Sequence, residues 1–180
     1  MIAVLVAAGE DDKDFFSELS RILSRHFATA RAYGQKFKAA DERPALILCD
    51  LKSFQAIDVD KVIVVCKKPH PITVNFEGAP FAIAVVDSSD DGLLKHISNT
   101  RLPAITCGLR SRDTITLSSM ATDSVVIDLR RSISCLNGVR VEPAEFPLRL
   151  EHPLDSFLLM TVAAILILSG KMESLKEGFI

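Results

Sequence analysis

The chain has 180 residues, of which 48% are hydrophobic and 24% charged, and its formal net charge is −2. This length and composition are typical of one globular domain with a buried core, and they argue against a disordered chain. Because the net charge is slightly negative, the sequence gives no electrostatic reason to expect nucleic acid or an anionic membrane as a partner.

The first 109 residues alternate apolar strands with helical segments. The predicted strands cover residues 2–7, 45–49, 61–66, 81–86 and 104–108. A helix follows the first strand, with Phe15, Phe16, Leu19, Ile22, Leu23 and Phe27 at helical spacing. A shorter helix follows the fourth strand, and Asp90 or Ser89 is its expected cap. Strands with helical connections predict an α/β fold, a mostly parallel open sheet with flanking helices and right-handed crossovers.

A different pattern begins after residue 109, because residues 110–150 alternate polar and apolar side chains. The Asn-Gly pair in "CLNGVRV" predicts a hairpin, and Pro147 places "EFPLRL" at a sheet edge. We therefore expect a small antiparallel subsheet. Residues 151–172 should form a closing helix that begins near Pro153 and ends near Gly170. We expect all three parts to form a single domain, 1–180.

The apolar run of the closing helix, residues 157–168, is twelve residues long. A membrane-spanning helix needs roughly 20, so this segment is predicted to be a buried helix. It is apolar on every side and therefore requires burial on more than one side, and we expect part of it to contact a partner.

Four cysteines, Cys49, Cys66, Cys107 and Cys135, are far apart in the sequence and show no close metal-ligand spacing. Small buried thiols pack well at the ends of apolar strands, so we interpret them as structural. The first residues show no secretory signal pattern, and a reduced cytoplasmic setting is the expectation.

Residues 4–23, "VLVAAGEDDKDFFSELSRIL", have the layout of a phosphate-binding loop between a strand and a helix. Gly9 and Lys13 fit that pattern, but acids occupy residues 10–12, and Asp14 stands where a Mg²⁺-binding hydroxyl is needed. Each carboxylate about 4 Å from a phosphate costs on the order of 1 kcal/mol in water and more where water is excluded. The same acids suit a helix start without any ligand, and a directly bound divalent cation is a further alternative.

The order of these pieces resembles the central, ATP-binding domain of the Mur ligases, which add amino acids in peptidoglycan synthesis, and of folylpolyglutamate synthases. Four stretches carry the resemblance: "GEDDKDFFSELSRIL", "LILCDLKSFQ", "FAIAVVDSSDDGLLKHIS", and "AITCGL" with the closing "EHPLDSFLLMTVAAILILSG". The resemblance implies a three-layer, Rossmann-like fold and a bacterial setting. The chain would be a degenerate and truncated relative, because the family's uridine-nucleotide and third domains have no counterpart in it.

The resemblance also implies roles for individual residues. Asp50 falls where the family has its Mg²⁺-binding glutamate, and Ser53, Phe54 and Gln55 are the same residues that the family has at those positions. Lys67 and Lys68 lie where the family has a histidine-bearing loop, and His70 is nearby. Ser88 lies after an apolar strand, at the position of the family's polar turn. The candidate contacts are therefore Gly9, Lys13, Lys67, Lys68 and Ser88 for a nucleotide or phosphate, and Asp14 and Asp50 for a metal.

The first hypothesis is a non-catalytic domain that acts as a homo-oligomer or as a scaffold for another protein. Neither a cofactor nor a catalytic residue is expected under it. The alternative is residual nucleotide or metabolite binding at the carboxyl edge of the parallel sheet, where ligands of such folds settle. A remote alternative is an ATP- and Mg²⁺-dependent ligase related to cell-wall synthesis.

Overall fold

The computed structural model describes residues 1–7, 13–33, 36–39, 43–50, 58–68, 79–100 and 102–178. The chain divides into two compact units. Unit 1 comprises Met1–Val86 and Asp90–Ala104, and unit 2 comprises Asp87–Ser89 and Ile105–Ile180. The organisation of 1–180 as a single domain remains a prediction.

Unit 1 is an α/β layer whose strands are mostly parallel. Its elements are β1 (Ile2–Ala7), α1 (Lys13–His26), β2 (Thr29–Tyr33), β3 (Lys36–Ala39), β4 (Leu46–Asp50), β5 (Lys61–Cys66), β6 (Phe81–Asp87) and α2 (Asp91–Ser98). The strand order is β6-β5-β1-β4-β2-β3, and every neighbouring pair is parallel except β2 and β3. The predicted mostly parallel sheet is confirmed.

The two helices of unit 1 cover opposite faces of its sheet. Leu93 and Ile97 of α2 belong to a buried cluster that includes Ala32 of β2. The ring of the next residue, Tyr33, lies 5.3 Å from that of Phe16 in α1. Because successive residues of a strand point to opposite faces, α1 and α2 pack on opposite sides. The predicted cap is also confirmed, since the Asp90 side chain accepts the Leu93 N–H at 3.0 Å.

The hairpin of β2 and β3 was not predicted from the sequence. In β2, small alanines alternate with polar and cationic residues, so no long apolar run marks the strand. All four residues of β3 are exposed, and Phe37 is the one large apolar side chain among them, so the sequence shows no apolar run here. The two strands are antiparallel, and in their register Arg31 pairs with Lys38 and Tyr33 with Lys36.

Unit 2 is mostly antiparallel, as predicted. Its elements are β7 (Ala104–Cys107), β8 (Ile115–Met120), β9 (Ser124–Leu129), β10 (Ile133–Ser134), β11 (Arg140–Val141), β12 (Ala144–Arg149), α3 (Ser156–Leu168) and α4 (Met172–Lys176). The strand order is β12-β9-β8-β7, with β8–β9 and β9–β12 antiparallel and β7–β8 parallel. Among the described residues β12 pairs only with β9, which confirms the edge position of Pro147. Gly138 has φ +84° in the predicted turn between β10 and β11.

The closing helix begins later than predicted. Its first residue is Ser156 rather than Pro153, because the Asp155 side chain accepts the Leu158 N–H at 2.9 Å and caps the helix there. Its end near Gly170 is confirmed. Gly170 has φ +73° and donates its N–H to Ile167 O at 2.9 Å, and the next N–H reaches Leu166 O at 2.8 Å. These bonds form a Schellman motif.

All residues 157–168 are buried, which confirms the predicted buried helix. Within unit 2, α3 packs on β8, β9 and α4. The expectation that part of this helix contacts a partner stays a prediction. No helix in the described ranges has the length and hydrophobicity needed to cross a membrane.

Candidate functional site

The carboxyl ends of the parallel strands of unit 1 bring most of the predicted site residues to one edge. In the register of β1 with β4 and β5, Val6 lies beside Asp50 and Ala7 beside Cys66. Lys67 and Lys68 therefore follow β5 at the edge where Asp50 ends β4. The α1 helix begins beside them, since its Phe15 ring contacts Lys67.

The ammonium group of Lys67 interacts with an aromatic ring. Its Nζ lies 4.8 Å from the centroid of the Phe15 ring, which is a cation–π distance. Its backbone N–H donates to Ala7 O at 3.4 Å, which ties the start of the loop to β1. An anion at this edge would compete with the Phe15 ring for the ammonium group, whereas Lys68 and Lys13 are exposed.

Carboxylates accompany these cations. Asp14 is exposed in the first turn of α1, immediately after Lys13, and Asp50 is half-buried. In the described ranges, no three metal-ligating side chains come close enough to hold an ion together. Gly9, the acids at 10–12, residues 53–55 and His70 lie outside the described residues, and their predicted roles stay predictions.

Ser88 belongs to unit 2 and is buried there, with 1% of its surface exposed. Its hydroxyl donates to Asp113 Oδ2 at 2.8 Å, and the Arg110 N–H donates to the same oxygen at 2.8 Å. Gly108 completes the cluster, because a Cβ on it would lie 2.7 Å from Asp113 Oδ2 and closer still to Ser88 Oγ. The Ser88 hydroxyl proton is therefore already used in a hydrogen bond to the buried Asp113 carboxylate. The negative charge of that carboxylate disfavours a phosphate beside Ser88.

The four cysteines are buried free thiols, as predicted. Burial raises the pKa of Cys49 to about 12, with a smaller contribution from the Asp50 charge, and burial raises the pKa of Cys66 to about 12. The pKa of Cys107 is also raised, first by burial and then by Asp113 and Asp87. A thiol needs its thiolate form to act as a nucleophile, so these side chains are inert near neutral pH.

A second polar site was not predicted from the sequence. Between α1 and the β2–β3 hairpin lies a pocket of about 440 Å³, called here the hairpin pocket, lined by Ser17, Ser20, Arg21, Ser24, Thr29, Arg31 and Lys38. Only knowledge of the hairpin could have found it, since the lining residues come from three elements and form no sequence motif.

The fold and the edge site together define an α/β protein with helices on both faces of a mostly parallel sheet. No protein-family model and no curated protein matches the sequence. Among solved structures, a UDP-N-acetylmuramoyl-L-alanyl-D-glutamate–2,6-diaminopimelate ligase, which is a Mur ligase, matches with TM-score 0.52 and 13% identity. The match covers 98% of this chain and 45% of the ligase chain. The Mur-ligase-like fold expected from the sequence is confirmed, and at this identity the similarity concerns the fold alone.

Proposed function

We propose that this protein is a non-catalytic, Mur-ligase-like domain with a degenerate phosphate-binding loop, which works by binding. The observation that carries the proposal is the first turn of α1, where Asp14 is exposed directly after Lys13. A phosphate-binding loop needs a hydroxyl for Mg²⁺ after its lysine. A carboxylate there, with three more acids at residues 10–12 of the sequence, repels the phosphates that the lysine would attract.

The state of Lys67 supports the same proposal. Of the three lysines at the carboxyl edge, this one is held over the Phe15 ring. Drawing it toward a triphosphate would cost about 0.5–1 kcal/mol of cation–π interaction. The remaining cations are Lys13 and Lys68, and the described part of this edge also carries two carboxylates, Asp14 and Asp50.

The binding role is proposed as homo-oligomerisation or attachment of another protein. Support comes from β3, an edge strand in which Phe37 is 65% exposed and all four residues face solvent. Exposed strand edges offer backbone hydrogen bonds to a second chain. The four free cysteines support a reduced cytoplasmic setting for this role.

Isothermal titration calorimetry with Mg-ATP and Mg-ADP tests the loss of phosphate chemistry. We expect no saturable heat and no hydrolysis, and light scattering should report a species larger than the monomer. A micromolar dissociation constant for either nucleotide, or measurable turnover, would contradict the non-catalytic proposal. A strict monomer would remove the homo-oligomer part and leave only a heterologous protein partner.

A second candidate is residual nucleotide or metabolite binding at the carboxyl edge. It is favoured by the register that gathers Asp50, Lys67 and Lys68 beside the start of α1. Thermal stabilisation by nucleotides with Mg²⁺, lost in Lys13→Ala but kept in the control Lys95→Ala on α2, would support it. Stabilisation that survives Lys13→Ala would exclude this edge as its source. The ATP-dependent ligase activity remains the remote alternative and requires ADP release during turnover.

A further inference from the structure

The hairpin pocket lies wholly within unit 1 and shares no lining residue with the carboxyl-edge site. Its volume of about 440 Å³ falls in the range of small-molecule sites. Along α1 it extends from Ser17 to Ser24, the second to fourth turns of the helix, so it does not use the helix start.

The fold directs polar groups from three elements into this pocket. Ser17, Ser20 and Ser24 are spaced by three and four residues, which places them on one face of α1. On β2, Thr29 and Arg31 are two residues apart and share a face of the sheet. Lys38 of β3 lies directly opposite Arg31 in the antiparallel register, so both cations project to the same side.

The two opposed cations have an electrostatic cost in the empty pocket. Like charges directly opposite each other on neighbouring strands are destabilising. Neither Arg31 nor Lys38 forms an ion pair with any residue in the described ranges. The third cation of the lining, Arg21, is compensated by Glu18 at 2.6 Å. Among the described residues no acid lines the pocket, so its described lining carries an uncompensated charge of about +2 in a chain of net charge −2.

Hydroxyl groups supply neutral donors beside the charges. Ser20 and Thr29 line the pocket although only 2% and 6% of their surfaces are exposed, and Ser17 stands at the exposed rim. The Ser24 hydroxyl donates to Arg21 O at 2.7 Å and contributes shape rather than a donor. A guanidinium, an ammonium and hydroxyls surrounding one space suit a tetrahedral oxyanion, which accepts hydrogen bonds on several oxygens.

We propose that the hairpin pocket binds a small molecule through its phosphate group. In the part of the chain that the structure describes, the lining offers cations and hydroxyls but no aromatic or large apolar side chain on which a nucleobase could stack. Inorganic phosphate or a polar phosphate monoester therefore fits better than a nucleotide. This inference goes beyond the proposed function, because, of the residues that support that function, it shares only Lys38, one of the four exposed residues of β3.

The test is a ¹⁵N–¹H NMR titration with inorganic phosphate in HEPES, at ionic strength held constant with sodium chloride. We expect saturable shifts at the amides of Ser17, Ser20, Thr29 and Arg31. Removing one charged phosphate ligand should weaken binding about tenfold in Arg31→Gln and about threefold or more in Lys38→Gln. Lys95→Gln, which removes an exposed charge outside the pocket, should leave the dissociation constant within about twofold, as expected for a screened distant charge.

Further arms of the titration separate the ligand classes. Glycerol 3-phosphate binding more tightly than phosphate would identify a monoester as the preferred source, and the reverse order would identify the free ion. Citrate binding as tightly as either would overturn the phosphate assignment.

The proposal is also overturned if no shift saturates, if Arg31→Gln and Lys95→Gln behave alike, or if Lys13→Ala abolishes binding. The last result would place the phosphate at the loop before α1 and contradict the non-catalytic proposal instead of supporting the hairpin pocket. Each variant is accepted only with a native amide spectrum. If Arg31→Gln does not fold, Lys38→Gln and Ser17→Ala, both at exposed positions, decide the outcome.

Discussion

At the residue scale, the cluster of Ser88, Gly108, Arg110 and Asp113 shows how a buried carboxylate is accommodated. Asp113 is 3% exposed and accepts hydrogen bonds from a hydroxyl and a backbone N–H. Leaving such a group without donors costs about 1–3 kcal/mol. Ser88 therefore has a structural task that its position after a strand does not reveal.

Gly108→Ala should destabilise the protein by about 1–3 kcal/mol, since the added methyl group overlaps the Ser88 hydroxyl and the Asp113 carboxylate. Urea unfolding monitored by circular dichroism measures the loss. In the Ser88→Ala background the same substitution should cost less, because one of the two overlapping oxygens is gone. Ser89→Ala, at the exposed neighbouring position, serves as the control and should change stability by less than about 0.5 kcal/mol. Equal costs in both backgrounds would contradict this packing.

At the scale of the secondary-structure element, the long buried strands were predictable and the short exposed ones were not. A continuous apolar run such as that of β1 has one physical solution, burial on both faces. The β2–β3 hairpin has no continuous apolar run, and the register that pairs its two strands cannot be deduced from the sequence. The start of α3 was misplaced since Pro153 is compatible with a first turn, whereas the Asp155 side chain supplies the actual cap.

The same limit applies to the candidate sites. Lys13, Asp50 and Lys67 were predictable as a group because the carboxyl ends of parallel strands share one edge. The bond between Ser88 and Asp113 joins residues 25 positions apart and could not be predicted from local patterns. The hairpin pocket depends on two strands that were not predicted, so its residues escaped notice although each is polar.

Gly170 is the element-scale position where glycine is required. Its φ of +73° costs an L-residue with a Cβ about 1–2 kcal/mol, so Gly170→Ala should lower the unfolding free energy by that amount. Gly170→Asn should lose less, because asparagine enters this conformation more readily. Differential scanning calorimetry of the two variants checks the order. Equal losses would show that contact with Asn137, 3.2 Å from the added Cβ, is the cause instead of the backbone conformation.

At the scale of the whole molecule, the buried thiols predict how stability depends on pH. In the unfolded chain a cysteine ionises near pH 9, whereas burial holds the pKa of Cys49 and Cys66 at about 12. Between these values the unfolded state binds fewer protons than the native state. The unfolding free energy should therefore fall as pH rises above 9 and be fully retained below it.

Each such cysteine adds a slope of at most about 1.4 kcal/mol per pH unit in that window. The double variant Cys49→Ala/Cys66→Ala should show a shallower decline between pH 9 and 11 in urea unfolding experiments, although its stability at pH 7 is lower. The two proteins differ only at these two positions, so the comparison isolates the contribution of the two thiols. Parallel declines would contradict the raised pKa values.

The burial of α3 also has a consequence for synthesis on the ribosome. The faces of β8 and β9 that α3 covers are translated before the helix itself, and they stay uncovered until residues 156–168 leave the exit tunnel. Nascent chains that end before residue 156 should expose the apolar faces of β8 and β9 and recruit chaperones. Folding of unit 2 therefore has to wait until α3 has left the exit tunnel.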